Sequence, residues 1–365
     1  MDKVGIITCG KEPNYGACLQ ALATLNKIIE LGYDAELMNY SFGSDKFYSP
    51  FAQPSLKSAI IATLFYFPRK AQCKAFDRFR ESHMRYSSSR LYSLEDFSKV
   101  KDEYKCFVTG SDQVWNPNLG IDINITLQRF LNDDKIKSIS YASSFGSNSL
   151  DSSYNELFKS SLKRFQAISV REKSGVDIVN GLLGESICKA VCDPVMLYDS
   201  GYWSKYCDDS RTPSEKYVII YDMRHSSEVF DCAVKLAKIR GCKVISISRV
   251  KMLKKGVRFI TDLSPSHFLS YFKNAEAVIT DSFHGTVFSI LFHKEFYTFC
   301  SGSGKKIGER LISILNTCHL KDRLYEKSKD VVFSNIDYSK VDPFIEEFRM
   351  HSIDYLSNSL RKVYE

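Results

Sequence analysis

The sequence predicts an α/β protein of two doubly wound halves, and three observations carry that prediction. Residues 3–40 read as strand, turn-rich loop, helix and strand, the opening of a parallel sheet. The same alternation resumes at Tyr217 (YVIIYD), with a helix over residues 229–239 and a strand over residues 243–248. Several apolar strands also finish in polar, small or charged residues, as strands do at the carboxyl edge of an open sheet.

The chain has 365 residues, enough for two domains of ordinary size. Its 44% hydrophobic and 25% charged content is that of a globular protein. A net charge of +7 over this length, without runs of basic and aromatic residues, argues against a nucleic-acid partner. The opening MDKVGIITCG enters a strand directly, so no secretory signal is expected. The expected location is the cytoplasm, extending to the inner face of the membrane. Eleven cysteines without a framework spacing then read as thiols. No CxxC pair occurs, and Cys188 and Cys192 lack a second pair, so no metal site is expected. No stretch approaches the roughly 20 apolar residues that cross a bilayer. The longest near the start, residues 59–67, stops at Pro68.

In chain order, residues 3–9 are the first strand and Gly10 to Gly16 a loop. Leu19, Leu22, Leu25, Ile28 and Ile29 recur with helical period over residues 17–31, and Gly32 stops the helix. The loop lacks G-x-G-x-x-G, so dinucleotide binding is not supported. Asn14, Tyr15 and Gly16 still lie at a helix N-terminus, which favours an anion or a sugar. Residues 44–90 break the pattern, mixing large apolar residues with Lys57, Arg69, Lys70, Lys74, Arg78, Arg80 and Arg85. Such a segment fits an anionic membrane surface or an excursion packed on its own domain with solvated arginines.

Strands over residues 107–110, 138–142 and 167–170 end at Ser111-Asp112-Gln113, Ser143-Ser144 and Arg171-Glu172. Taken singly, Asp112 is a helix cap and Arg171 a salt bridge; in succession these endings suggest one cleft. Asp193-Pro194 opens a loop-rich stretch to residue 215, the expected linker. Ser264 caps the next helix, with Pro265 at its first position.

The chain is organised around residues 275–300, AEAVITDSFHGTVFSILFHKEFYTFC. An apolar strand leads into the turn Asp281-Ser282-Phe283-His284-Gly285, a helix apolar on nearly every side, and a second strand. A helix opening there presents unpaired N–H groups to an anion, and Gly285 lets the backbone turn and a ligand approach. A lone His-Gly is more often a capped helix with a core histidine; the other strand endings reverse that weighting. Lys305, Lys306 and Arg310 put positive charge at the start of a helix over residues 307–315, where a bound anion would offset the macrodipole. The tail, residues 342–364, reads as a helix packing back across the domains. The expected domains are residues 1–200 with the excursion, 215–325, and the tail 326–365.

Six motifs in order resemble the polysaccharide pyruvyl transferase family. They are NYGA (residues 14–17), GSDQVWNP (110–117), SYASSFG (140–146), SVREKSG (169–175), CDP (192–194) and TDSFHGTVFSILF (280–292). The resemblance spans roughly residues 3–320. It implies two Rossmann-like domains facing across a cleft, as in GT-B glycosyltransferases, with acceptor on the first and donor on the second. It also implies transfer of the enolpyruvyl group of phosphoenolpyruvate onto two hydroxyls of a sugar, giving a cyclic ketal and phosphate, with no separate cofactor. The implied acceptor is a polyprenyl-diphosphate-linked glycan of bacterial capsular or exopolysaccharide synthesis. By resemblance Arg171 and His284 belong to the donor site. Some family members carry an arginine where this chain has Ser282, and Lys305, Lys306 or Arg310 would supply that charge.

Phosphoenolpyruvate brings a phosphate and a carboxylate, which the planar fork of arginine suits. An acid must protonate C3 as a hydroxyl attacks C2, and the hydroxyls need a base. Histidine, with an ordinary pKa near 6.5, serves either role. His284 is the expected acid, and Asp112 the expected base or acceptor of a sugar hydroxyl. Ser282, Gly285, Arg171, Lys305, Lys306 and Arg310 form the expected donor set. Asn14, Tyr15, Gly16, Ser111, Gln113, Trp115, Ser143 and Ser144 form the acceptor set. No divalent metal is required. Two other classes fit the same architecture: a glycosyltransferase using a nucleotide sugar, and a non-catalytic glycan-binding subunit, which would tolerate loss of His284.

Overall fold

Two parallel sheets organise the chain in the computed structural model, which describes residues 3–42, 55–132, 135–248, 252, 254–300, 308–325 and 333–365, with backbone only at 56–65. The chain divides into two units. The first comprises Met1–Gly43, Arg80–Leu197 and Ile345–Glu365, and the second Ser44–Phe79 and Tyr198–Phe344.

In the first unit, β1 (Lys3–Ile7), β2 (Asp34–Leu37), β3 (Cys106–Thr109) and β4 (Lys137–Ser140) align in the order β2-β1-β3-β4. β5 (Ser169–Val170) pairs with β6 (Lys189–Ala190), and bridges from Ile139 to Ala167 and Ser143 to Val170 extend the sheet from β4 to β5. The direction of winding reverses between β1 and β3, the switch point where open α/β sheets place ligands. Val4, Ile6, Phe107 and Val108 are fully buried, as parallel strands covered on both faces require. The helix Tyr15–Glu30 buries Leu19, Leu22, Leu25 and Ile28 as their spacing predicts, while Ile29 turns outward.

The second unit holds β7 (Tyr217–Tyr221), β8 (Lys243–Ile247), β9 (Val257–Ile260), β10 (Ala277–Thr280), β11 (Glu295–Phe299) and β12 (Leu324–Tyr325). Their order, β12-β11-β10-β7-β8-β9, is the 3-2-1-4-5-6 Rossmann order counted from β7. Its switch point lies between β7 and β10. The organising strand–turn–helix stretch of the sequence thus lands on the central pair.

Residues 191–198 and Trp203 are buried, the rest of the loop-rich stretch to residue 215 is exposed or half-buried, and the division between the two units falls inside it, between Leu197 and Tyr198. Several expectations need revision. The excursion contains one long helix, Leu56–His83, which runs through Pro68. It does not belong whole to the first half, because Ser44–Phe79 groups with the second unit. Arg80 is buried and donates to the Gly10 carbonyl at 3.3 Å, so it is not one of the solvated arginines. Helices Leu94–Val100, Asn155–Leu162 and Lys173–Leu183 and the edge strands β9 and β12 are further elements. The last helix is Tyr338–Tyr364, beginning ahead of Pro343; Tyr338 bonds within the second unit and Ser352 within the first.

Candidate functional site

At the switch point of the second sheet, Thr280 ends β10 opposite Tyr221 at the end of β7. The next residues, Asp281 and Asp222, therefore leave the sheet side by side. Asp281 accepts a hydrogen bond from the Met223 N–H at 2.8 Å. Asp222 accepts from the N–H groups of Arg224 (2.9 Å) and Ser226 (2.6 Å), fixing the turn that leads into helix Ser227–Arg240. The Arg224 guanidinium is 3.9 Å from Asp281 Oδ2. Burial first, then the neighbouring Asp222 carboxylate, raise Asp281 to about 7 against the opposing Met223 N–H and Arg224.

Ser282 caps the helix Phe283–Leu291, its hydroxyl accepting from the Gly285 N–H at 3.3 Å. His284 lies in the first turn and is buried, its ring edge-on to Phe283. The helix behind it is buried along its whole length. Gly285 serves packing: a Cβ there would stand 2.3 Å from Thr280 Oγ1 and 3.0 Å from Tyr221. The expected close approach at this glycine is thus made by the sheet itself.

In the first unit, the carboxyl edge collects Asp112, Ser111, Ser144, Arg171, Glu172 and Asp193. Asp112 holds a left-handed backbone (φ 72°), as does Ala142 (φ 55°) after β4. Such strain in non-glycine residues gathers at functional sites. Arg171 Nη1 donates to Asp193 at 2.7 Å, and its other nitrogens lie 3.8 Å from Asp112 and Glu172. Burial works against the Arg171 charge, but Asp193, Asp112 and Glu172 outweigh it and raise its pKa. This guanidinium stands among three carboxylates, with Asp193 as its hydrogen-bonded partner.

The sequence pattern of the polysaccharide pyruvyl transferase family matches residues 14–301. The chain belongs to this family. No curated protein matches it in sequence. Its fold is similar to that of a UDP-N-acetylglucosamine 2-epimerase described as putative from Listeria monocytogenes, with TM-score 0.50 and 8% identity over 98% of this chain and 90% of that one. A UDP co-structure of MnaA from S. aureus gives 0.52 and 9% over 98% and 91%. An alpha-glucosyltransferase bound to UDP and DNA gives 0.50 and 9% over 99% and 94%. These likenesses establish a GT-B-like fold of two Rossmann-like domains for this pyruvyl transferase family member.

The family's other motif residues serve structure in several places. Trp115 is fully buried against Phe145, Phe158 and Phe165, with its indole N–H on the Thr126 carbonyl, so it belongs to the core rather than an acceptor surface. Ser143 bonds to the Thr109 and Gly110 carbonyls, Ser144 to Glu172 at 2.7 Å, and Ser111 to Asp193 at 3.0 Å, all from buried positions. Gln113 accepts from Asn116 at 2.9 Å. Asn14 caps the helix Tyr15–Glu30, and Tyr15 and Gly16 are buried in its first turn. Arg310 is half-buried in the first turn of helix Glu309–Thr317. Lys305 and Lys306 lie outside the described residues. Sequence reasoning placed Glu172 at its strand ending without a role, and overlooked Asp222, Arg224 and Asp193 as members of these edges. The YVIIYD ending of the β7 segment was the available signal for Asp222.

Proposed function

We propose that this chain transfers the enolpyruvyl group of phosphoenolpyruvate to two hydroxyls of a sugar, forming a cyclic ketal and releasing phosphate. The observation that carries the reading is the Ser282-Phe283-His284-Gly285 turn, which opens a buried helix at the switch point of the second sheet in a pyruvyl transferase family member. The donor's anionic groups are assigned to the helix N–H groups, with Arg224 and Arg310 as cations.

His284 is assigned the proton that goes to C3. Asp112 is assigned the proton of the attacking hydroxyl. The two C–O bonds at C2 release two protons: one balances the new methyl group, and the other leaves with the phosphate. The proposed acceptor is a polyprenyl-diphosphate-linked glycan of capsule or exopolysaccharide assembly at the cytoplasmic face of the membrane. Helix Leu56–His83 exposes Phe67, Lys70, Lys74 and Arg78 at helical spacing, a face suited to an anionic surface. No helix among the described residues is long and apolar enough to cross a membrane.

The test is incubation with phosphoenolpyruvate and a panel of free and lipid-linked glycosides, reading mass gain together with phosphate release. A parallel arm replaces phosphoenolpyruvate with UDP sugars. Glycosyl transfer in that arm, with phosphoenolpyruvate inert, would replace this reading by a glycosyltransferase.

A further inference from the structure

The reaction requires two proton deliveries, one to C3 and one to the departing phosphate, and His284 accounts for the first. We propose that Asp222 and Asp281 hold one proton between them and that Asp281 delivers it to the phosphate as it leaves. The delivery rests on the pyruvyl transfer reading; the shared proton does not.

Strand register places the pair. Because Tyr221 and Thr280 are partners in adjacent parallel strands, the residues that follow are held as neighbours at the carboxyl edge. Both are buried, with exposures of 4% for Asp222 and 8% for Asp281. Both oxygens of Asp222 accept backbone N–H bonds, as an ionised carboxylate does. Asp281 uses Oδ1 for the Met223 N–H, whereas its buried Oδ2 has no hydrogen-bond donor. Two carboxylates in such contact cannot both ionise readily. A proton on Asp281 Oδ2, directed at Asp222, removes the repulsion and satisfies the oxygen. Among the described residues, the other charged or titratable groups around Asp281 are Arg224 from the turn after β7, Cys300 after β11, and His284 in the following helix. Arg224, at 3.9 Å, offsets part of the charge but makes no hydrogen bond at that distance. Burial and Asp222 together favour the neutral acid, up to about pH 7.

Asp281 immediately precedes the cap of the helix to which the donor phosphate is assigned. As the C2–O bond to phosphate breaks, its electron pair passes to oxygen and the Asp281 proton follows. The second sugar hydroxyl, losing its own proton as it closes the ketal, restores the carboxyl. Nothing is oxidised or reduced, and each proton is accounted for.

The first arm needs no substrate. Protein labelled with 13C at the aspartate carboxyl is titrated by NMR. One carboxyl titrating well above the ordinary range, absent in Asp281→Asn and returned toward that range in Asp222→Asn, supports the pair. Titration of every aspartate in the ordinary range overturns it. The second arm follows phosphate release from phosphoenolpyruvate with simple aryl and lipid-linked glycosides. Asp281→Asn is expected to lower kcat about 100-fold with a smaller change in donor KM. In Asp222→Asn the alkaline fall of kcat should move to lower pH. An unchanged pH profile in folded Asp222→Asn overturns delivery to phosphate. A raised carboxyl signal in a protein that never consumes phosphoenolpyruvate supports the pair and overturns the pyruvyl transfer reading.

Discussion

Arg171 donates to Asp193 at 2.7 Å, tying the end of β5 to the chain just beyond β6. Ser111 donates to the same carboxylate oxygen at 3.0 Å, so one buried aspartate joins three loops of the carboxyl edge. Replacing Arg171 by Ala leaves Asp193 buried without its cation. The expected loss is about 3–5 kcal/mol of stability, the scale for breaking a buried pair. Urea unfolding measures it. A loss in donor affinity without a loss in stability would assign Arg171 to the donor site.

Gly285→Ala should also act through packing. The added methyl meets Thr280 Oγ1, which is itself held by a 2.6 Å bond to the Tyr221 carbonyl. A loss of about 1–3 kcal/mol is expected, the usual scale for overpacking. Thermal melting of the single variant and of the Gly285→Ala, Thr280→Ala pair reads the coupling between them. Strictly additive losses would show that the contact is not the cause.

His284→Ala should bind phosphoenolpyruvate nearly normally and turn over at least about 100-fold slower. His284→Gln should be no better, since it retains a hydrogen-bond donor but delivers no proton. Calorimetric binding beside steady-state kinetics separates the two effects. Near-wild-type turnover in either variant would make His284 a core residue of its helix.

Asp281 makes stability depend on pH. Between the ordinary aspartate value of 3.8 and about 7, the folded protein keeps a proton that the unfolded chain has released. Its contribution is therefore fully present below about 3.8 and is lost as pH rises through about 7. The contribution is on the order of a few kcal/mol. Comparing denaturation curves of wild type and Asp281→Asn across this window isolates it. A wild-type minus variant difference that stays flat with pH would rule it out.

The exposed Phe67, Lys70, Lys74 and Arg78 face should bind anionic vesicles at low salt and release them as screening rises. Lys70→Glu with Lys74→Glu should abolish flotation. Equal binding to neutral vesicles would exclude an electrostatic contribution.

Much of the fold was legible because its signals are local. The β-branched run before Asp281, the apolar surface of the following helix and the Ser264-Pro265 start each specify an element without reference to distant chain. The helix Leu56–His83 was less legible, because Pro68 reads as an end while the structure carries the helix through it. The family motifs located the carboxyl edges, but whether a motif residue faces a ligand or the core depends on what packs above it. Trp115 and Ser143 carry the same motif signal as Asp112, yet both are fully buried.

The sequence by itself determined the alternation of strands and helices, the two α/β halves and the polar turn that opens helix Phe283–Leu291. Only the tertiary structure decided which strands stand next to one another. Parallel neighbours are joined by crossovers, so their pairing cannot be read from local spacing. Pairing β7 with β10 makes Asp222 and Asp281 neighbours and gives them a proton to share. In the first unit, the bridge that carries β4 to β5 and the pairing of β5 with β6 bring Arg171 among three carboxylates. A side chain's charge is written in the sequence, but burial and the nearest partners set how that charge behaves.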